Sequence, residues 1–199
     1  MTKIKLCGLS RECDIEAVNE LCPEYIGFVF ANKSKRYVTP AKAKELRTIL
    51  NKDIKAVGVF VNEDIEKVSE LLENDIIDIA QLHGSEDEEY ILKLREKTQK
   101  PIIKAFKISS SADAVSAEKS SADFILLDSG AGTGSVFDWE WLSEVKRPYF
   151  LAGGLSPDNV ESAIKKLSPY AVDVSSGIET EGVKDKIKMK EFVSKVRNF

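Results

Sequence analysis

The side chains of this chain that can do chemistry stand at the ends of short apolar runs. Leu6-Cys7-Gly8-Leu9 sets a thiol beside a glycine, placed to act as a base or nucleophile. With an ordinary pKa of ~8.5, that thiol needs surroundings that stabilise thiolate; the plainer use is a small buried hydrophobe. Leu126-Leu127-Asp128-Ser129 ends an apolar run on a carboxyl group. Desolvation there would raise the pKa of Asp128 and keep a proton available for general acid work, the alternative being an Asp that caps a turn. Gly130-Ala131-Gly132-Thr133-Gly134 follows it and suits a lid or a backbone anion site.

Further on, Ala152-Gly153-Gly154-Leu155 and Asp173-Val174-Ser175-Ser176-Gly177 each end an apolar run. Glycines let backbone N–H groups approach an anion, and serine hydroxyls add donors, so both loops suit phosphate as well as they suit tight turns. Arg36, in Ser34-Lys35-Arg36-Tyr37, offers a planar fork for a carboxylate, although surface arginines are common. In Gln81-Leu82-His83-Gly84 the alternation points Gln81 and His83 the same way, as substrate contacts or as a hydrogen-bonded structural pair.

The elements that must position these residues repeat with little interruption. Apolar runs at Ile4–Cys7, Tyr25–Phe30, Ala56–Val61, Ile77–Leu82, Ile102–Phe106, Phe124–Leu127, Tyr149–Leu151 and Ala171–Val174 read as strands apolar on both faces, as a covered parallel sheet requires. Helical spacing lies between them: Ile65, Val68, Leu71 and Leu72; Val160, Ala163, Ile164 and Leu167; Ile187, Phe192, Val193 and Val196. Thr39-Pro40, Asn62, Ser85 and Ser156-Pro157 are candidate helix starts. The segment after Phe106, with Ser109-Ser110-Ser111 and Ser120-Ser121, carries the weakest helical pattern.

Eight strand-helix units without a linker predict one α/β domain over residues 1–199, a minimal (β/α)8 TIM barrel. The alternative, an open doubly wound sheet, lacks its GxGxxG and GxxxxGK[ST] fingerprints here. In a barrel the strand C-termini form the active-site face, and the loops after strands seven and eight are a common phosphate cradle.

The composition, 43% hydrophobic and 31% charged over 199 residues, is that of an ordinary globular chain. A net charge of -4 argues against nucleic acid as a partner. No apolar run nears the ~20 residues that span a bilayer, and the N-terminus turns polar too soon for a signal peptide, so no membrane partner and a cytoplasmic location are expected. The three cysteines, Cys7, Cys13 and Cys22, make no CxxC pattern, and His83 is the single histidine; neither a disulfide framework nor a metal site is expected.

Taken in order, KLCGL, SKRYV, VGVFVN, QLHG, LLDS with GTGSVFDW, LAGGLSPDNV and VDVSSGIE with GVKD resemble the phosphoribosylanthranilate isomerase family of tryptophan biosynthesis over essentially the whole chain. Leu6 stands where family members often carry Ile. The resemblance implies Cys7 as general base and Asp128 as general acid. It implies Arg36 on the anthranilate carboxylate, and Gly153, Gly154, Ser175, Ser176 and Gly177 around the phosphate. The implied reaction is an aldose-ketose isomerisation, the Amadori rearrangement of N-(5-phosphoribosyl)anthranilate to 1-(2-carboxyphenylamino)-1-deoxyribulose 5-phosphate. It needs no metal or organic cofactor, because the protonated Schiff-base nitrogen is the electron sink. The partner would be a small phosphorylated substrate, and the protein a monomer or homodimer. The competing readings are a related sugar-phosphate barrel enzyme and a non-catalytic barrel that binds a phosphorylated metabolite. An indole-forming synthase would be expected to use Lys and Glu at strand ends, and a metal-dependent epimerase more than one histidine.

Overall fold

In the computed structural model, which describes residues 1–128, 139–142 and 145–199, eight parallel strands close on themselves in sequence order. They are β1 (Lys3–Cys7), β2 (Tyr25–Val29), β3 (Lys55–Phe60), β4 (Ile79–Leu82), β5 (Ile102–Lys107), β6 (Phe124–Asp128), β7 (Tyr149–Ala152) and β8 (Ala171–Val174). Closure is made by β8 pairing β1, with Lys5 opposite Asp173. Seven α-helices are seen among the described residues: α1 (Glu12–Leu21), α2 (Pro40–Ile49), α3 (Ile65–Glu73), α4 (Glu88–Lys97), α5 (Ser111–Glu118), α6 (Val160–Leu167) and α7 (Lys186–Arg197). In the sixth unit, where an eighth helix is expected, the described residues show one 3-10 turn at Trp139–Leu142. The Gly130–Gly134 loop lies outside the described residues. After β8 the chain makes a small antiparallel ribbon, β9 (Glu179–Thr180) and β10 (Val183–Lys184), before α7. No helix among the described residues is long and apolar enough to cross a membrane.

Strand alternation sorts side chains into two layers. In β1, Ile4 and Leu6 join the large cluster between sheet and helices. Lys3, Lys5 and Cys7 share the opposite, inward face, so this strand is polar inside rather than apolar on both faces. At mid-barrel the inward positions are apolar, with Val57, Ile79, Ile103, Leu126 and Phe150 in one buried cluster.

Several helix starts fall later than their sequence signals. Thr39 does cap α2, accepting from Lys42 N. Asp64 and Asp87, not Asn62 and Ser85, cap α3 and α4. Asn62 Oδ1 instead accepts from Ser85 N at 2.8 Å and from its hydroxyl, which ties the loops after β3 and β4 together. Helix α6 starts at Val160, not at Ser156-Pro157. In the serine-rich fifth unit Ser110 accepts from Asp113 N and caps α5. Ile187 of α7 faces solvent, while Met189, Phe192, Val193 and Val196 are buried.

Candidate active site

A cavity of about 470 Å³ opens at the C-terminal ends of the strands. Cys7, Arg36, Gln81, His83, Asp128, Gly153, Gly154, Ser175 and Ser176 all line it, so nine of the ten residues singled out in the sequence meet in one place. Gly177 stands behind the wall. A Cβ there would lie 1.9 Å from the Leu155 carbonyl oxygen, so glycine is what lets the loops after β7 and β8 meet.

Cys7 ends β1 and is buried against Val29 and Val59. Its register partner on β2 is Gly27, where a Cβ would sit 2.5 Å from the sulfur. The space for the thiol is thus made by the absence of a side chain next door. Burial pushes the Cys7 thiol up, against the pull of the Lys5 ammonium; Asp173 adds to the rise and Lys184 opposes it. Lys5 is fully buried, and its Nζ is 2.9 Å from Asp173 Oδ2. Burial pulls the Lys5 pKa down, but the Asp173 carboxylate and Cys7 outweigh it and hold the pKa above the usual lysine value.

Arg36 is brought to the mouth by a loop that doubles back, Val38 N donating to Val29 O at 2.9 Å. Ser34 Oγ accepts from Arg36 N, which gives the serine of SKRYV a part in setting the loop. The guanidinium spends its Nε and Nη2 on Glu179, at 2.6 and 2.8 Å. A substrate carboxylate would therefore meet its other edge, Nη1 with the second Nη2 proton. Glu179 also accepts from Lys184 Nζ at 2.5 Å. Despite burial, these two cations hold the Glu179 carboxyl below its ordinary range.

Across the mouth, Gln81 Nε2 is 2.8 Å from His83 Nδ1, and His83 Nε2 is 3.4 Å from Asp128 Oδ2. With the amide nitrogen donating, Nδ1 accepts and the ring proton sits on Nε2, facing the carboxyl. Asp128 is not sealed in apolar surroundings: its side chain is 27% exposed and the imidazole is beside it. The loop that carries His83 is pinned by the buried Glu86, which accepts from Gly84 N at 2.8 Å and Lys104 Nζ at 3.0 Å.

Gly153 and Gly154 adopt φ of 93° and 63°. Asn159 Nδ2 donates to Gly154 O at 2.9 Å and so holds their turn. The Ser175 hydroxyl is already used inside the protein, donating to Cys7 O at 3.1 Å and lying 3.2 Å from Lys184 Nζ. It ties the β8 loop to β1, and leaves the backbone and Ser176 to meet an anion.

Lys5, Asp173, Glu179 and Lys184 escaped the sequence reading. For the first two the signal was present, a charge inside a run that otherwise reads as buried strand, in KIKLC and AVDV. Among the described residues no group of three or more His, Cys, Asp or Glu is placed to hold a metal.

Residues 4–195 match the family model for N-(5'-phosphoribosyl)anthranilate (PRA) isomerase. The chain belongs to the phosphoribosylanthranilate isomerase family. Isomerisation of N-(5'-phosphoribosyl)anthranilate, in tryptophan biosynthesis, is its function. The N-(5'-phosphoribosyl)anthranilate isomerase of Endomicrobium trichonymphae is 46% identical over 203 residues, covering 100% of both chains. The crystal structure of the Thermotoga maritima phosphoribosyl anthranilate isomerase superposes with a TM-score of 0.90 at 36% identity, again over 100% of both. A further isomerase structure, at TM-score 0.88, 35% identity and full coverage of both chains, is a complex with reduced 1-(o-carboxyphenylamino)-1-deoxyribulose 5-phosphate. The isomerase thus shares with its relatives the barrel whose mouth holds the cavity described above.

Proposed function

We propose that in this isomerase Cys7 is the general base and Asp128 the general acid, acting on a small phosphorylated substrate stretched between Arg36 and the glycine-serine loops. The whole chain, residues 1–199, works as one catalytic domain in the cytoplasm. The observation that supports this best is that one cavity receives the thiol, the carboxyl group, the guanidinium and both loops. The substrate has a carboxylate at one end and a phosphate at the other, and the mouth has a cation at one side and Gly153, Gly154 and Ser176 at another. Anchoring both ends presents the ribose to Cys7 and Asp128, the positioning part of catalysis.

Asp128 gives its proton to the furanose ring oxygen, the ring C–O bond breaks, and the nitrogen lone pair forms the protonated Schiff base. The Cys7 thiolate takes the proton from C2, and the electron pair moves into C1=C2 and neutralises the nitrogen. The enolamine becomes the ketone by losing the O2 proton and gaining one at C1. The aspartate and the thiol left by the first half are suited to take the one and supply the other, which returns both groups to their starting forms. Gln81 and His83 lie beside Asp128, where the imidazole holds the carboxyl group in place.

The test uses phosphoribosylanthranilate generated in situ and follows the loss of its fluorescence. Cys7→Ala and Asp128→Ala are each expected to lower kcat by at least ~100-fold with little change in KM, since both groups act in the transition state. Near-normal turnover in either variant removes that residue from its role.

A further inference from the structure

Lys5 is fully buried in a barrel interior, a costly place for an ammonium group. Its ion pair with Asp173 does not account for it on grounds of stability, because a well-packed apolar pair usually serves as well or better. The pair is also incomplete: Asp173 Oδ1 is buried and has no hydrogen-bond partner among the described residues. What the pair does accomplish is geometric. Lys5 and Cys7 lie two residues apart on the inward face of β1, and Asp173 faces Lys5 from the adjoining strand β8. The ammonium is held at 2.9 Å by Asp173, on the strand face that also carries Cys7, where its charge favours the thiolate.

We propose that Lys5, oriented by Asp173, is a positioning residue of the isomerisation: its ammonium group offsets part of the cost of ionising Cys7 and orients the thiolate that forms towards the substrate. The inference rests on Cys7 being the base. Two features of the site fit it. A thiol in this pocket meets a desolvation penalty on ionising, and the Lys5 ammonium is the main group that offsets it. The other charges around Cys7 are already paired: Arg36 and Lys184, the latter a weaker pull on the thiol than Lys5, are both bound to Glu179, while His83 Nε2 lies 3.4 Å from Asp128 Oδ2. Lys5 stays protonated throughout, so it takes no part in the proton balance.

The experiment reads Cys7 directly. Alkylation of the Cys7 peptide by iodoacetamide is followed by mass spectrometry against pH, in the wild type and in Lys5→Met, alongside kcat and KM. Lys5→Met should move the alkylation profile up by at least about one pH unit, a tenfold loss of thiolate at fixed pH. It should lower kcat at neutral pH by at least tenfold with KM nearly unchanged, and part of the loss should return as pH rises. If Lys5→Met leaves the Asp173 charge unpaired and does not fold, the neutral Lys5→Met/Asp173→Asn pair carries the same measurement, with a smaller upward shift. An unshifted alkylation profile in the folded variant overturns the proposal. A shifted profile with normal turnover overturns the assignment of Cys7 as base, and with it the catalytic purpose of Lys5.

Discussion

Lys3 and Lys5 point into the barrel from the same face of one strand, and their surroundings differ in a way that separates floor from mouth. At the floor, Lys3 Nζ donates to the Tyr170 hydroxyl at 2.8 Å and lies 4.6 Å from the centre of its ring. Tyr170 and Tyr25 share a hydrogen bond at 3.0 Å, and their rings pack on Phe150. One layer up, Lys5 Nζ donates to a single carboxylate oxygen, Asp173 Oδ2, at 2.9 Å. Among the described residues the buried side-chain atoms without a partner are Gln81 Oε1 and Asp173 Oδ1, both in the cavity wall at the mouth. Buried polar groups are normally satisfied, so unmet ones mark where a ligand is expected to complete the network. The floor is arranged for stability and the mouth for a substrate.

That contrast can be broken or sharpened by substitutions. The largest effect after loss of Cys7 or Asp128 themselves is expected from Gly27→Ala, because the new methyl group would fall 2.5 Å from the Cys7 sulfur. Turnover should drop on the order of 100-fold, with an overpacking cost of about 1–3 kcal/mol in thermal unfolding. A kcat within twofold of wild type would mean that the thiol's position does not matter.

Glu179→Gln frees Arg36 from the contact that orients it, and KM should rise roughly tenfold, a loss of about 1.4 kcal/mol of binding, with kcat less affected. The same change should alter acid unfolding, followed by circular dichroism. The Glu179 carboxyl lies below its ordinary range in the folded state, so its contribution is present above the unfolded pKa of ~4.3 and is lost as pH falls through the lower folded value. The variant should lack that portion of the acid transition.

Activity should also respond to pH in the other direction. Burial pushes the Cys7 thiol up, so the thiolate fraction, and with it kcat/KM, should climb from neutral into alkaline pH. A flat profile above neutral would argue against a thiolate base. The smallest effect belongs to the floor: Tyr170→Phe removes one hydroxyl, and should cost about 1 kcal/mol, or roughly 2–4 °C in Tm, while leaving kcat and KM as they were.

Much of this was legible in the sequence, for identifiable reasons. Strand ends and loops carry local signals, so short apolar runs and the residues that follow them single out Cys7, Arg36, Asp128 and the Gly153-Gly154 turn, all of which line one cavity. Helix starts were less legible where a cap residue had a second use: Asn62 reads as a cap but joins two loops, and Asp64 caps instead. Among the described residues of the sixth unit, a 3-10 turn is seen where the strand-helix repeat predicts a helix. The partners of the site were hidden by distance. Glu179 reaches Arg36 across 143 positions, and Asp173 reaches Lys5 across 168. A lysine inside KIKLC shows that something must pay for its burial, but only barrel closure reveals that Asp173 does so.

The most direct measurement sets Lys3→Met beside Lys5→Met, recording kcat and Tm for both. The account predicts that Lys3→Met lowers Tm and keeps wild-type kcat, whereas Lys5→Met loses at least tenfold in kcat at neutral pH. Equal kcat in the two variants would contradict the division of the barrel into a stabilising floor and a catalytic mouth.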